Sequence, residues 1–450
     1  MTNNYKPAHV EVIDLPKDRL MVRPLSRLRL GARLAYEAAV LGAAPVIDGT
    51  VPRDVYSYRW WKRKDRILAP VGSWLRMQRA ARSHHKRNSD LMLARTDISS
   101  FYESVDVETL LSELASLPLD AWTIEVISES LRSFNNLGSV WGLPQGYDVS
   151  GILANMYLLP IDALITSRQI RYFRYSDDIY AFGDDWLALR QILLEVNSAL
   201  RSRRLILSSS KTRIIDSHSV PQELEDLEKD AISYGIRIRD ATAPTDLRAY
   251  FDRVVADGLP DTRDLKYCLN QFGRIRDDYA VKWLLVNMTQ LPHVARESLF
   301  YLAKFQSKMP EIGEEVVDLL TNSMLSLYPY AEQHLLIYLL RQNVYTKKSR
   351  QAAWNMLADK NKETFVREFA ARYIGHAGVQ SDGPRLRQRF QDEDNTRIRR
   401  ALLVACYEAR GCPPSLLRSV QIADQNLDHT AAYLLKAPDR IPLPQVKWEP

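Results

Sequence analysis

Two adjacent carboxylates, Asp177 and Asp178, stand between two short strand-forming runs, Ile170–Tyr175 and Ile179–Phe182. So tight a connection predicts a β-hairpin with the acid pair at its tip. A third run, Leu91-Met92-Leu93-Ala94-Arg95-Thr96, is apolar enough for a buried strand and ends on Asp97. Arg204–Ser209 (RLILSS) reads as a further strand. Taken singly, an acid at a strand end is most often a cap or turn former, and an acid pair most often belongs to a surface turn. Three carboxylates on neighbouring strands would instead repel strongly unless a cation neutralised them. Mg²⁺ suits such a set, because it takes few protein carboxylates and completes its octahedron with water and phosphate oxygens. Two such ions about 3.5–4 Å apart would activate an attacking 3′-oxygen and stabilise a leaving pyrophosphate.

Between the acids lies Trp141–Leu158, in which Gly142, Pro144 and Gly146 make a tight loop where the backbone can approach a ligand. Ser150, Ala154 and Tyr157 follow at helical spacing. An ordinary loop leading into a helix is the plainer reading of this stretch alone.

At 450 residues the chain is too long for one ordinary core. A composition 46% hydrophobic and 26% charged excludes a disordered or fibrous role. Cys268, Cys406 and Cys412 are too few for a disulfide framework and form no zinc-type pair. The N-terminal stretch has no apolar signal region and no run of 18 apolar residues occurs, so a cytoplasmic protein without a membrane segment is expected. The first 240 residues mix helical and strand-like stretches, an α+β pattern. From about Thr245 the spacing is helical, as in LRAYFDRVVADGL, YAVKWLLVNMTQL, GEEVVDLLTNSML and AEQHLLIYLL, with prolines between. Helices of about 12–15 residues rising every 35–40 or so resemble a HEAT-like α-solenoid, with an irregular helical bundle as the alternative. The expected division is 1–240 and 241–450.

Charge is unevenly placed. Twelve Lys and Arg fall between Arg53 and Arg95 against three Asp, a local +9 in a chain of net +6, so the remainder sums to −3. Tyr56, Tyr58, Trp60, Trp61 and Trp74 are interleaved with them. Cations with flat side chains suit a nucleic-acid backbone, although a solvated helix face has the same composition.

Taken together these segments resemble the palm of a reverse transcriptase. Asp97-Ile98-Ser99-Ser100-Phe101-Tyr102 resembles the family's motif A, and Gly142-Leu143-Pro144-Gln145-Gly146 with Ser150 its motif B. Tyr175-Ser176-Asp177-Asp178 resembles motif C, and Leu205–Thr212 motif D. The resemblance covers about residues 20–220 and implies a right-hand-type fingers and palm domain, followed here by the helical region in place of a thumb. It implies Asp97, Asp177 and Asp178 as ligands of two Mg²⁺ ions, with Mn²⁺ as a substitute, and Lys211 as charge stabiliser or proton donor at the leaving phosphates. Tyr102 would exclude a 2′-hydroxyl, Gln145 and the backbone at Gly146 would border the nucleotide, and Arg59 or a basic neighbour would hold the triphosphate. The implied partners are dNTPs, an RNA template or an associated non-coding RNA, and the nascent DNA.

Ser176 in motif C, where viral RNA replicases show glycine, points to DNA synthesis. Gly151 stands where retroviral and group II intron enzymes carry proline, and no retron signature, zinc-type endonuclease pattern or thumb motif is found. DISSFYESV, VYSYRW and S-x2-LAN-x-YL-x2-ID resemble the bacterial abortive-infection and "unknown group" enzymes. That class implies antiphage defence, synthesis primed on a protein hydroxyl or templated by a dedicated RNA, and homo-oligomers or a co-encoded protein partner. The alternatives are a non-catalytic RNA-binding scaffold on a palm fold and a mobile-element enzyme with no role in defence.

Overall fold

The computed structural model describes residues 10–443 except 19, 137–139, 225, 257, 323–324 and 326–327. The end of the expected helical stretch GEEVVDLLTNSML, at Ser323 and Met324, lies outside the described residues. The chain forms two compact units. One is built from Pro24–Asp230 with the segment ending at Asp14, the other from the chain beyond Ala231 with Leu15–Arg23.

In chain order the first elements are β1 (Glu11–Pro16), β2 (Val22–Arg27), α1 (Leu30–Thr50), β3 (Trp60–Trp61), β4 (Arg66–Ile67), α2 (Pro70–Arg87) and β5 (Met92–Thr96). Next come α3 (Phe101–Ser104), α4 (Val107–Ala115), α5 (Ala121–Asn135), α6 (Asp148–Tyr157) and α7 (Leu159–Ser167). The hairpin strands β6 (Arg171–Tyr175) and β7 (Asp178–Gly183) lead to α8 (Trp186–Ser202), β8 (Arg213–Ile215) and α9 (Val220–Leu224).

The centre of the first unit is a four-stranded antiparallel sheet in the order β6-β7-β5-β8. Both of its faces are covered. Ala94, Tyr172, Ile179 and Ala181 belong to the core shared with α1, α5, α6 and α8, while Leu93, Phe173, Tyr180 and Phe182 pack against Met77 and Ala81 of α2 and Val220 and Leu224 of α9. Two covered faces explain why these strands are apolar on both sides instead of alternating with polar residues.

The helix α1 is long and apolar enough by length and composition to cross a bilayer. In this structure its Tyr36, Ala39, Val40, Ala43, Ala44 and Ile47 are buried, and the helix packs on α5 and α6.

The RLILSS segment forms no strand. Arg204 takes φ +61° at the end of α8, and Ser208 accepts from the amides of Lys211 and Thr212 in a turn. Leu207 makes an isolated bridge to Ile98, and the strand forms later, as β8, where Ile214 and Ile215 pair with Ala94 and Leu93. Local β-propensity yields to the turn that the three consecutive serines favour.

Apart from Leu15–Arg23, the second unit has no strand among its described residues. Its helices are α10 (Leu227–Ile238), α11 (Ala243–Ala256), α12 (Thr262–Ile275), α13 (Val281–Asn287), α14 (Ala295–Leu302) and α15 (Glu311–Leu320). After them come α16 (Pro329–Arg341), α17 (Lys347–Ala358), α18 (Thr364–His376), α19 (Gly383–Asp392), α20 (Thr396–Glu408), α21 (Pro414–Ala423) and α22 (Asp428–Leu434). From α12 to α22 each even-numbered helix packs on the next even-numbered one, and α13, α15 and α17 pack on one another in the same way.

Candidate active site

The hairpin β6–β7 turns on two residues, Ser176 and Asp177, with Tyr175 paired to Asp178 across it. Ser176 has φ +56°, a conformation that costs a non-glycine residue energy unless its surroundings impose it. Here they do. The Ser176 amide donates to Ser57 Oγ at 2.8 Å, and its carbonyl accepts from Arg174 Nη1 at 2.9 Å. Arg174 is fully buried and forks onto Asp162, with Nη2–Oδ2 at 2.6 Å and Nε–Oδ1 at 2.8 Å. Asn155 closes the network: its Oδ1 accepts from Arg174 Nη1 at 3.1 Å and its Nδ2 donates to the Ser57 carbonyl at 2.7 Å. Each of these buried groups has a partner, the condition under which a buried ionic network rigidifies a site.

Strand β5 runs antiparallel to β7, with Thr96 opposite Ile179. One residue beyond that pair, Asp97 leaves β5 where Asp178 enters β7, and Asp177 is next to it in the turn. Burial pushes the Asp177 carboxyl up to about 6, Asp97 and then Asp178 add to the effect, and Lys211 opposes it. The Lys211 ammonium donates to Asp97 Oδ2 at 2.7 Å. It is carried there because the segment after α8 is hydrogen-bonded to motif A: the Ser99 amide donates to the Ile206 carbonyl at 2.9 Å, and the Ser208 amide to the Asp97 carbonyl at 2.7 Å. The donors are hard carboxylate oxygens, partly dehydrated and mutually repelling, which fits a divalent cation of the Mg²⁺ type. As the side chains stand, Asp97 is turned onto Lys211, and no three acidic, His or Cys side chains among the described residues converge on one ion position.

Tyr102 lies on α3. Its hydroxyl is buried beside Tyr58, Ser176 and Asp177 without a hydrogen bond of good geometry, and burial first, then Tyr58, holds the phenol well above the ordinary tyrosine range. The glycine loop hooks onto the same short helix. Gly142 has φ +73°, a Cβ there would sit 2.1 Å from the Tyr102 carbonyl oxygen, and the Leu143 amide donates to that oxygen at 2.8 Å. Gln145 Nε2 donates to Glu103 Oε1 at 3.1 Å, and Gly146, with φ +100°, is exposed at the end of the loop.

Residues 56–234, which include all of these groups, match the family model described as reverse transcriptase (RNA-dependent DNA polymerase). The chain carries a reverse transcriptase domain. It is the domain of a nucleotidyltransferase. No curated protein matches the chain. Among solved structures, an apo telomerase from Candida tropicalis aligns at 12% identity over 82% of this chain and 70% of that one, with a TM-score of 0.33. A telomerase from Candida albicans in complex with the TWJ fragment of telomeric RNA aligns at 12% identity over 80% and 65%, also at 0.33.

Within the reverse transcriptase domain, Arg59 has a place other than the one expected. Its Nε donates to Asp48 Oδ1 at 2.6 Å, Nη1 to the carbonyls of Pro52 and Val55 at 2.5 and 2.9 Å, and Nη2 to those of Asp48 and Val51 at 3.4 and 3.2 Å. All of its N–H donors are thus used at the C-terminal end of α1, where helix carbonyls lack partners. As placed, it has none left for a triphosphate. The exposed cations nearby are on the β3–β4 hairpin: Lys62, Arg63, Lys64 and Arg66, with the Lys64 ammonium 4.9 Å and the Arg66 guanidinium 5.2 Å from the Trp61 ring centroid.

Ser57, Asn155 and Asp162 lie in the segments VYSYRW and S-x2-LAN-x-YL-x2-ID, but neither these motifs nor the run holding Arg174 gives them a role. The available signal is a pair of opposite charges set in apolar runs, Asp162 in Leu159–Ile165 and Arg174 in β6.

Proposed function

We propose that this chain is an RNA-directed or template-independent DNA polymerase of the bacterial defence-associated class, acting in the cytoplasm against phage. The observation that carries the polymerase reading is the meeting of Asp97, Asp177 and Asp178 at the ends of β5 and β7, with Lys211 on Asp97. Mg²⁺ ions held by these three carboxylates would supply the charge that activates a 3′-hydroxyl and neutralises a leaving pyrophosphate. With metal bound, Asp97 would exchange the Lys211 ammonium for the ion as its counter-charge, and Lys211 would be free to meet the leaving phosphates. On this reading Tyr102 would exclude a 2′-hydroxyl, and Gln145 and the backbone at Gly146 would border the nucleotide. With Arg59 committed to α1, the cations of the β3–β4 hairpin are the better candidates for the triphosphate.

The defence assignment rests on the resemblance of DISSFYESV, VYSYRW and the α6–α7 segment to that class, with residues 1–240 as fingers and palm. The layered packing of α12–α22 supports a HEAT-like repeat for 241–450. A dedicated RNA, a protein-linked primer and an oligomeric assembly belong to the same reading.

The test is incubation of purified protein with Mg²⁺ and each labelled dNTP or NTP, without primer, beside Asp177→Ala. Label incorporated by the wild type alone establishes polymerisation. Protease sensitivity of the product then shows a protein primer, and ribonuclease sensitivity an RNA template. Silence that persists after addition of RNA co-purified from the host overturns the polymerase in favour of an RNA-binding scaffold.

A further inference from the structure

We propose that Tyr58 is a second sugar-selecting residue of the nucleotide site, seated there by Gly151 and acting as a pair with Tyr102. The proposal rests on the polymerase reading of the site.

Tyr58 has φ +50°, a left-handed backbone that a bulky aromatic residue adopts only under constraint. The constraint comes from both flanks. On one side Ser57 is bonded to Asn155 and to the amide of Ser176, and on the other Arg59 is held by five acceptors at the end of α1. The ring is thereby aimed at α6. A Cβ on Gly151 would lie 2.3 Å from both Cγ and Cδ2 of Tyr58 and 2.5 Å from Cδ1. The aromatic face therefore rests directly on the helix backbone, which only glycine permits. Glycine here is otherwise unfavourable, since the fourth residue of a helix would prefer alanine. The glycine that departs from the proline of related enzymes has a physical reason: it makes room for Tyr58.

The far end of Tyr58 meets Tyr102, whose hydroxyl lies between Tyr58, Ser176 and Asp177. One tyrosine comes from motif A and the other from the segment preceding β3, and the Tyr102 hydroxyl where they meet lies beside Asp177. A ribose differs from a deoxyribose by one hydroxyl, which needs both space and a hydrogen-bond partner. Truncating Tyr58 removes the ring that meets the Tyr102 hydroxyl, and adding a methyl group to Gly151 displaces that ring.

The experiment measures dissociation constants of dCTP and CTP for the full chain in Mg²⁺ by calorimetry. The proteins are wild type, Tyr58→Ala, Tyr58→Phe, Gly151→Ala, Tyr102→Ala and the double variant Tyr58→Ala/Gly151→Ala. The expected result is a wild-type preference for dCTP that falls about tenfold in Tyr58→Ala, mainly through tighter CTP binding, and survives in Tyr58→Phe. Gly151→Ala should lose preference as Tyr58→Ala does, and should add nothing in the double variant, the sign of a coupled pair. If Tyr58→Ala weakens both nucleotides equally, Tyr58 only packs and the proposal fails. If Tyr102→Ala alone shifts the preference, Tyr102 selects the sugar unaided and the polymerase reading stands without the pair. A wild type that binds neither nucleotide overturns both.

Discussion

Arg174 and Asp162 form an ion pair from which water is excluded, with Nη2 and Oδ2 2.6 Å apart and both side chains at 0% exposure. The pair ties α7 to β6, and through the Ser176 carbonyl it fixes the turn that presents Asp177. A buried charge that loses its partner costs about 3–5 kcal/mol. Asp162→Asn and Arg174→Gln are therefore expected to lower stability by that order, read as a large fall in melting temperature, and to abolish incorporation together with it. A fall of only a degree or two would show that the pair is not what holds the turn.

The carboxylate of Asp177 carries the opposite thermodynamic sign. Its folded-state pKa of about 6 lies above that of the unfolded chain, so the native state binds this proton more tightly. The metal-free protein should gain stability as pH falls through 6 toward 4, and ionising this group at neutral pH should cost the fold roughly 3 kcal/mol. Asp177→Asn should accordingly raise the melting temperature of metal-free protein near pH 7.5 or so and not near pH 4, while abolishing synthesis. Destabilisation at neutral pH would contradict the repulsion among the three acids.

Lys211 neutralises Asp97 when no metal does. In Lys211→Met, Mg²⁺ loses a competitor, so the metal-induced rise in melting temperature should exceed that of wild type. The maximal rate should nevertheless drop by about 10²-fold if the ammonium stabilises the leaving phosphates. An unchanged rate would restrict Lys211 to the first role.

Two parts of the basic stretch should separate experimentally. Arg59→Ala removes five hydrogen bonds at the end of α1 and should lower thermal stability with no change in the salt dependence of RNA binding. Reversing Lys62, Arg63 and Arg66 on the β3–β4 hairpin should leave folding intact, weaken RNA binding, and flatten its salt slope by about 0.7–0.9 for each phosphate that is no longer neutralised. Titration of binding against salt for both variants checks this, and identical slopes would remove the hairpin from the interface.

The sequence alone made legible what depends on local order. Two strand-forming runs separated by a tight turn can only form a hairpin, so the position of Asp177 and Asp178 at its bend follows from spacing. The apolar run through Leu93 marked a buried strand, and the runs through Phe173 and Phe182 marked strands, although that both faces of the sheet are covered emerged only with the helices in place. The helical character of the chain beyond Thr245 followed from its three- and four-residue apolar spacing. Tertiary structure decided what depends on partners distant in the chain. RLILSS has strand-forming residues, but the Ser208 turn shifts the ladder to Arg213–Ile215. Arg59 reads as a free cation among many until the end of α1 supplies its acceptors. Asp162 and Arg174 look like surface charges until burial makes each the other's counter-charge. Gly151 reads as a departure from a motif until the ring of Tyr58 is found against its Cα. Propensity and spacing act over a few residues and are written in the order of the chain, whereas burial, pairing and steric exclusion exist only once separated segments have been brought together.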